Sequence, residues 1–155
     1  MGTRSYVAAE TESGIKGVYV HWDGYPEGRI PVLQRLIARD GLSKVVRTII
    51  GKPNGWSSLD DRAVDHESAG MAGEMLTGGR FELIPGYGVQ YTSTPTEHAP
   101  EGQADKAYWT PETHDPDSWA EFIYIITTEG TVRWAETQHG SADVAGFDWH
   151  EEVLV

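Results

Sequence analysis

Six residues near the start of the chain have types that could do chemistry together: Arg4, His21, Trp22, Asp23, Tyr25 and Arg29. The His21 imidazole could take a proton as a general base, with the Asp23 carboxylate fixing its tautomer. Arg4 and Arg29 could hold a phosphate or carboxylate, helped by the N-terminus of a helix that starts just after the turn. A purely structural reading stands beside this one. Asp23-Gly24-Tyr25-Pro26 is also what a tight turn needs, Tyr25 packs, and Arg4 pairs with Asp23 to pin two strands together. The two readings differ in geometry. A deep pocket holding Arg4, His21 and Tyr25 belongs to a ligand site, whereas a shallow surface with Arg4 bridged to Asp23 belongs to a partner-binding face. No residue is assigned a catalytic role.

The elements that must position these residues follow from pattern. Thr3 to Ala9 and Ile15 to Trp22 read as two strands, with Val18, Val20 and Trp22 facing one way and Tyr19 and His21 the other. A short turn makes them an antiparallel hairpin. If Glu12 and Ser13 form its loop, Arg4 lies opposite His21; if Ser13 and Gly14 form it, Arg4 lies opposite Asp23. Asp23 to Gly28 cannot continue the strand, and Gly24 is expected to supply a backbone geometry that a side chain would not tolerate. Ile30, Leu33, Leu36 and Ile37 then recur at helical spacing, with Pro31 placed in the first turn. Asp40-Gly41 ends that helix. Ser43 caps a second, whose apolar face is Val45, Val46, Ile49 and Ile50.

The rest of the chain is read more coarsely. Trp56 to Asp61 reads as a turn followed by a cap, and Ala69 to Leu76 as a short helix weakened by Gly70 and Gly73. Phe81 to Ile84 and Val89 to Thr92 read as short strands. Residues 93–118, rich in Pro, Thr, Glu, Asp and Gly, read as a long acidic surface loop. Phe122 to Thr127 is the most continuous apolar strand, Thr131 to Glu136 follows it, and Phe147 to Val155 adds an edge strand. The expectation is a single α+β domain over 1–155, an antiparallel sheet with two or three helices packed on one face.

Composition narrows the function classes. With 39% hydrophobic residues, six Trp and seven Tyr, the 155-residue chain can bury a core. It has no Cys, so disulfides and thiolate chemistry are excluded. The net charge of −12 is concentrated late: residues 101–155 hold two Lys/Arg against twelve Asp/Glu. Phosphate backbones are repelled by such a surface, so direct nucleic-acid binding is not expected; the acidity reads first as a means of keeping the chain dissolved, and beside that it could suit a basic protein partner or a decoy for a nucleic-acid-binding protein. No apolar run is long enough to cross a bilayer. His114-Asp115-Pro116-Asp117 and His150-Glu151-Glu152 offer hard ligands but fit no metal motif. There is no phosphate loop, dinucleotide fingerprint or nucleophile elbow, and no cofactor is expected.

Four stretches carry a resemblance: Met1 to Tyr6, Gly17 to Gly28, Trp56 to Leu59, and Glu121 to Ile125. They resemble a family of small bacteriophage and prophage proteins sharing an N-terminal Gly-Thr-Arg-Ser and a His-x-Asp-Gly-Tyr-Pro turn. The acidic middle, 62–118, lies outside it. The resemblance implies a phage accessory protein acting in the host cytoplasm, outside the virion, and it brings no catalytic residue with it. Two functions remain open. One is binding and modulation of a host protein, in host takeover or counter-defence. The other is a domain that binds, sequesters or hydrolyses a small nucleotide-like anion through Arg4, His21, Asp23 and Tyr25.

Overall fold

The fold is built outward from a central hairpin. The computed structural model describes residues 3–92 and 108–155. Strands β1 (Ser5–Thr11) and β2 (Gly14–Val20) pair antiparallel, with Ser5 opposite Val20 and Thr11 opposite Gly14. Glu12 and Ser13 therefore form the loop, and the same register carried one step further sets Arg4 against His21. Helices α1 (Pro26–Asp40) and α2 (Leu42–Ile50) follow, then β3 (Trp56–Leu59), a short helix α3 (Glu74–Thr77), β4 (Phe81–Ile84) and β5 (Gly88–Tyr91). The chain closes with β6 (Phe122–Ile126), β7 (Thr131–Glu136) and β8 (His150–Val153).

All eight strands form one sheet in the order β4-β5-β3-β2-β1-β6-β7-β8. The sheet is mixed, which corrects the antiparallel expectation. β1 runs parallel to β6, and β2 parallel to β3. The second pairing follows from the helices: α1 and α2 carry the chain across the sheet between β2 and β3, as a parallel crossover requires. Trp56 to Leu59 is strand, not turn and cap. Trp56 is fully buried and its indole N–H donates to the Ile49 carbonyl at 3.0 Å, so packing against α2 overrides the local Ser-Ser signal.

Each sheet face has its own core. On one face Val7, Val18, Val20, Tyr124 and Ile126 pack with Val32, Leu33, Leu36, Val45 and Ile49 of the helices. On the other, Tyr6, Tyr19, Ile123 and Ile125 pack with Trp109, Val144 and Phe147. Of the expected surface loop, 93–107 lies outside the described residues. Trp109 and His114 in its remainder are buried. Trp109 exchanges backbone hydrogen bonds with Gly17 at 2.7 and 2.8 Å, and its indole stacks on Tyr6.

Three local expectations change. α1 starts at Pro26, so Pro31 sits in its second turn, not its first. Gly41 precedes Leu42, the first residue of α2, so Ser43 is inside that helix, not its cap. The positive φ in the turn belongs to Asp23, at 58°, and not to Gly24. Gly24 is required for a different reason. A Cβ there would lie 2.7 Å from the Thr3 carbonyl oxygen and 2.8 Å from the Ser5 Cβ. Gly24→Ala is therefore expected to lower stability by about 2 kcal/mol. Asp23→Gly, which relieves a strained φ but adds chain entropy, is expected to stay within about 1 kcal/mol of the parent. Urea unfolding of both variants measures the contrast.

Candidate functional site

The turn after β2 is held from three sides. The amides of His21 and Trp22 donate to the Trp56 and Ser57 carbonyls, both at 3.0 Å, and extend the parallel ladder past Val20. The Gly24 amide donates to the Thr3 carbonyl at 2.8 Å. The Tyr124 hydroxyl, reaching through the core, donates to the Gly24 carbonyl. The chain then turns into α1, whose first accepted bonds run from Gly28 and Arg29 to the Tyr25 carbonyl.

Strand alternation divides the candidate residues between the two sheet faces. Tyr19 and His21 share the face opposite the helices, with the Tyr19 hydroxyl 2.6 Å from His21 Nδ1. Arg4 follows Tyr6 onto that face, and its guanidinium lies 5.2 Å from the ring of Trp119. Arg29 and Tyr25 belong to the helix face. Arg4 and Asp23 form no ion pair with each other among the described residues. Neither proposed geometry is realised as a whole among the described residues: none of the three concavities they line holds Arg4, His21 and Tyr25 together, and no Arg4–Asp23 bridge pins the hairpin. Trp22 stays exposed at 44%, its ring edge-on to His21 at 4.8 Å, and Tyr25 is exposed at 41%.

Arg29 is the unusual member. It is 1% exposed, one of the largest fully buried side chains described. Its Nη2 donates to the Trp22 carbonyl at 2.9 Å, while its Nε is buried without an acceptor. Desolvation pulls its pKa down to about 10, opposed mainly by Tyr124 and then by Asp23 and Tyr25. Burial in turn pushes the Tyr124 hydroxyl well above its ordinary range.

Among the described residues, three concavities lie at this end of the sheet. A cleft of about 550 Å³ on the helix side is lined by Tyr25, Glu27, Phe122, Trp134, Glu136, Asp148 and His150. A smaller one of about 210 Å³ on the other side is lined by His114, Ser118, Trp119, Glu121 and His139, and shares Glu136, Thr137 and Gln138 with the first. The third, about 270 Å³, lies between the turn, α1 and the segment after β3, with Asp23, Tyr25, Arg29, Arg35, Asp60 and Arg62 around it. Trp134, Glu136 and Asp148 were not among the sequence-based candidates, and His150 was weighed there only as a metal ligand. The shared face of Val132 and Trp134 was visible, but nothing local pointed to a cleft shared with Tyr25.

No three His, Asp or Glu side chains among the described residues converge as a metal ion would need. No described helix is long and apolar enough to cross a membrane. The chain matches no protein-family model, no curated protein and no solved structure.

His114 makes a pH-dependent contribution. The Trp109 indole N–H donates to its Nδ1 at 3.0 Å, so the neutral ring carries its proton on Nε2. Burial lowers its pKa, with Asp115 opposing. The unfolded chain then takes up a proton first as pH falls below 6.5, so stability from this group is present above that value and is lost toward the lower folded pKa. His114→Gln is expected to flatten the pH dependence of the melting temperature between pH 6.5 and the acid limb, read by calorimetry across that range.

Proposed function

We propose that this chain is a phage accessory protein that acts in the host cytoplasm by binding and modulating a host protein. The observation that carries the reading is the large cleft beside α1. Its walls are the aromatic rings of Tyr25, Phe122 and Trp134, and its carboxylates are Glu27, Glu136 and Asp148. None of those carboxylates has a Lys or Arg partner among the described residues; Asp148 alone approaches a basic group, His150, at 4.0 Å. Aromatic anchors ringed by uncompensated acids suit a basic segment of another protein, whose Lys or Arg side chains gain both cation–π and ionic contacts. Trp119, exposed at 71%, and Trp22 extend aromatic surface around the same end of the sheet. The phage and host setting rests on the resemblance of residues 1–60 and 120–135, and the overall charge of −12 agrees with a basic partner.

The second reading, a domain that binds, sequesters or hydrolyses a small nucleotide-like anion, has support from a different place. Its intended cluster is split across the sheet, but Arg29 retains the character of an anion-binding group. The two readings occupy separate concavities.

Affinity capture from a bacterial lysate tests the first reading. The parent is expected to retain one host protein in stoichiometric amount. Glu136→Lys with Asp148→Lys is expected to lose at least about 90% of it at unchanged melting temperature, as removal of central charges does at such surfaces. The control pair Glu67→Lys with Glu82→Lys, distant from the cleft, is expected to retain it. Equal capture by the cleft variant, or capture lost equally by the control, would overturn the reading.

A further inference from the structure

We infer that the pocket of about 270 Å³ beside the start of α1 is a binding site for a small molecule bearing a single carboxylate, and that the Arg29 guanidinium is its floor. The inference is independent of the cleft proposed to dock a protein.

A buried guanidinium is ordinarily matched by a carboxylate, because an isolated buried cation forfeits its hydration with nothing to offset the loss. Arg29 has no such partner among the described residues. Its one acceptor is the Trp22 carbonyl, and its Nε donates to nothing. Tyr124 cannot serve as counter-ion. Its raised pKa keeps it neutral at physiological pH, and its proton is committed to the Gly24 carbonyl. The other cations on the pocket wall are already matched: Arg35 holds Asp61 through two bonds of 2.9 and 3.0 Å, and Arg62 lies 3.3 Å from Asp60. Arg29 is the one lining cation that is buried and has no carboxylate partner among the described residues.

The rim sets which anion. Asp23 and Glu27 line the same pocket and are exposed. Their charges are screened by water, while the floor charge is not, so one negative group reaching Arg29 gains more than it loses. A second or third charge on the ligand would sit at the level of Asp23 and Glu27 and meet repulsion. The pocket therefore favours a monocarboxylate over a polyphosphate. A planar carboxylate also matches the fork of a guanidinium better than a point-charge contact would. An ammonium group beside the carboxylate would be welcomed by the rim acids, so the simplest amino acids fall within the class.

The test uses the full chain, labelled with 15N, at constant ionic strength. Acetate is titrated while the Arg29 Nε–H and Gly28 amide signals are followed, with sodium chloride and pyrophosphate as comparison anions. Acetate is expected to shift both signals saturably and to raise the melting temperature by roughly 4 °C at about ten times its dissociation constant. Chloride is expected to do neither, and pyrophosphate to bind less tightly than acetate. Arg29→Met keeps the apolar stem and removes the charge. It is expected to abolish the acetate response while melting at or above the parent temperature without acetate. Acetate shifts that match chloride, tighter binding of pyrophosphate, or an acetate response surviving in Arg29→Met would overturn the inference. Should that variant fail to fold, the parent titration decides alone.

Discussion

The contact on which the rest depends is the approach of the Gly24 backbone to Thr3 and Ser5. There is no space there for a Cβ. Because the gap is closed, the Gly24 amide reaches the Thr3 carbonyl and the Tyr124 hydroxyl reaches the Gly24 carbonyl. Three segments are thereby locked at one point: the start of β1, the turn after β2, and the interior strand β6. The launch direction of α1 follows, since its first turn bonds back to Tyr25 immediately after the lock. Asp23 accepts a left-handed φ so that the chain can make this approach and still turn into the helix. The buried Ser5 hydroxyl, which has no hydrogen-bond partner among the described residues, stands against Gly24 and marks how tightly the point is closed.

Much of this was legible in local pattern. The hairpin, both main helices and strand β6 were written in alternation, helical spacing and a continuous apolar run, which depend only on near neighbours. The parallel pairings were not. Nothing in β1 states that its second neighbour will be β6, because that choice is made by burial of both faces after distant segments meet. Trp56 to Leu59 was hidden for a related reason. Four residues with two serines carry little strand signal, and the identity of the segment is set by Trp56 filling space against Ile49. The misplacement of Trp109 and His114 has the same origin: acidic, proline-rich flanks masked a residue of the second core and the buried imidazole that packs edge-on against Tyr6, Trp109 and Phe147.

The candidate cluster shows which inferences a sequence supports and which it does not. Its convergence at one end of the hairpin was correct in register, since Arg4 does stand against His21 by extension of the observed pairing. Its division between two faces was also implicit in the period of the strand, because Tyr19 and His21 alternate with Val18 and Val20. Arg29 is more instructive. The buried face of α1 runs through Arg29, Val32, Leu33, Leu36 and Ile37. That is a clean helical series whose first member is a cation. A pattern search that admits only apolar residues starts the series at Ile30 and sees Arg29 as a surface charge.

Charges at this end of the molecule therefore cannot be compared by counting them. The chain has twice as many acids as bases, 24 against 12. Asp23, Glu27 and Asp148 nevertheless stand in water, where each is weakened by solvent and salt. Arg29 stands in the core, where its single charge acts through a medium of much lower polarizability and has one carbonyl for company. The two environments lie on either side of the first turn of α1, and Tyr25 lines both. Under the two proposed functions, such a surface attracts a cation broadly from the outside and holds a small anion at one point within. The net charge of −12 describes the first property and conceals the second, because the field at a buried point is set by the groups that water does not reach.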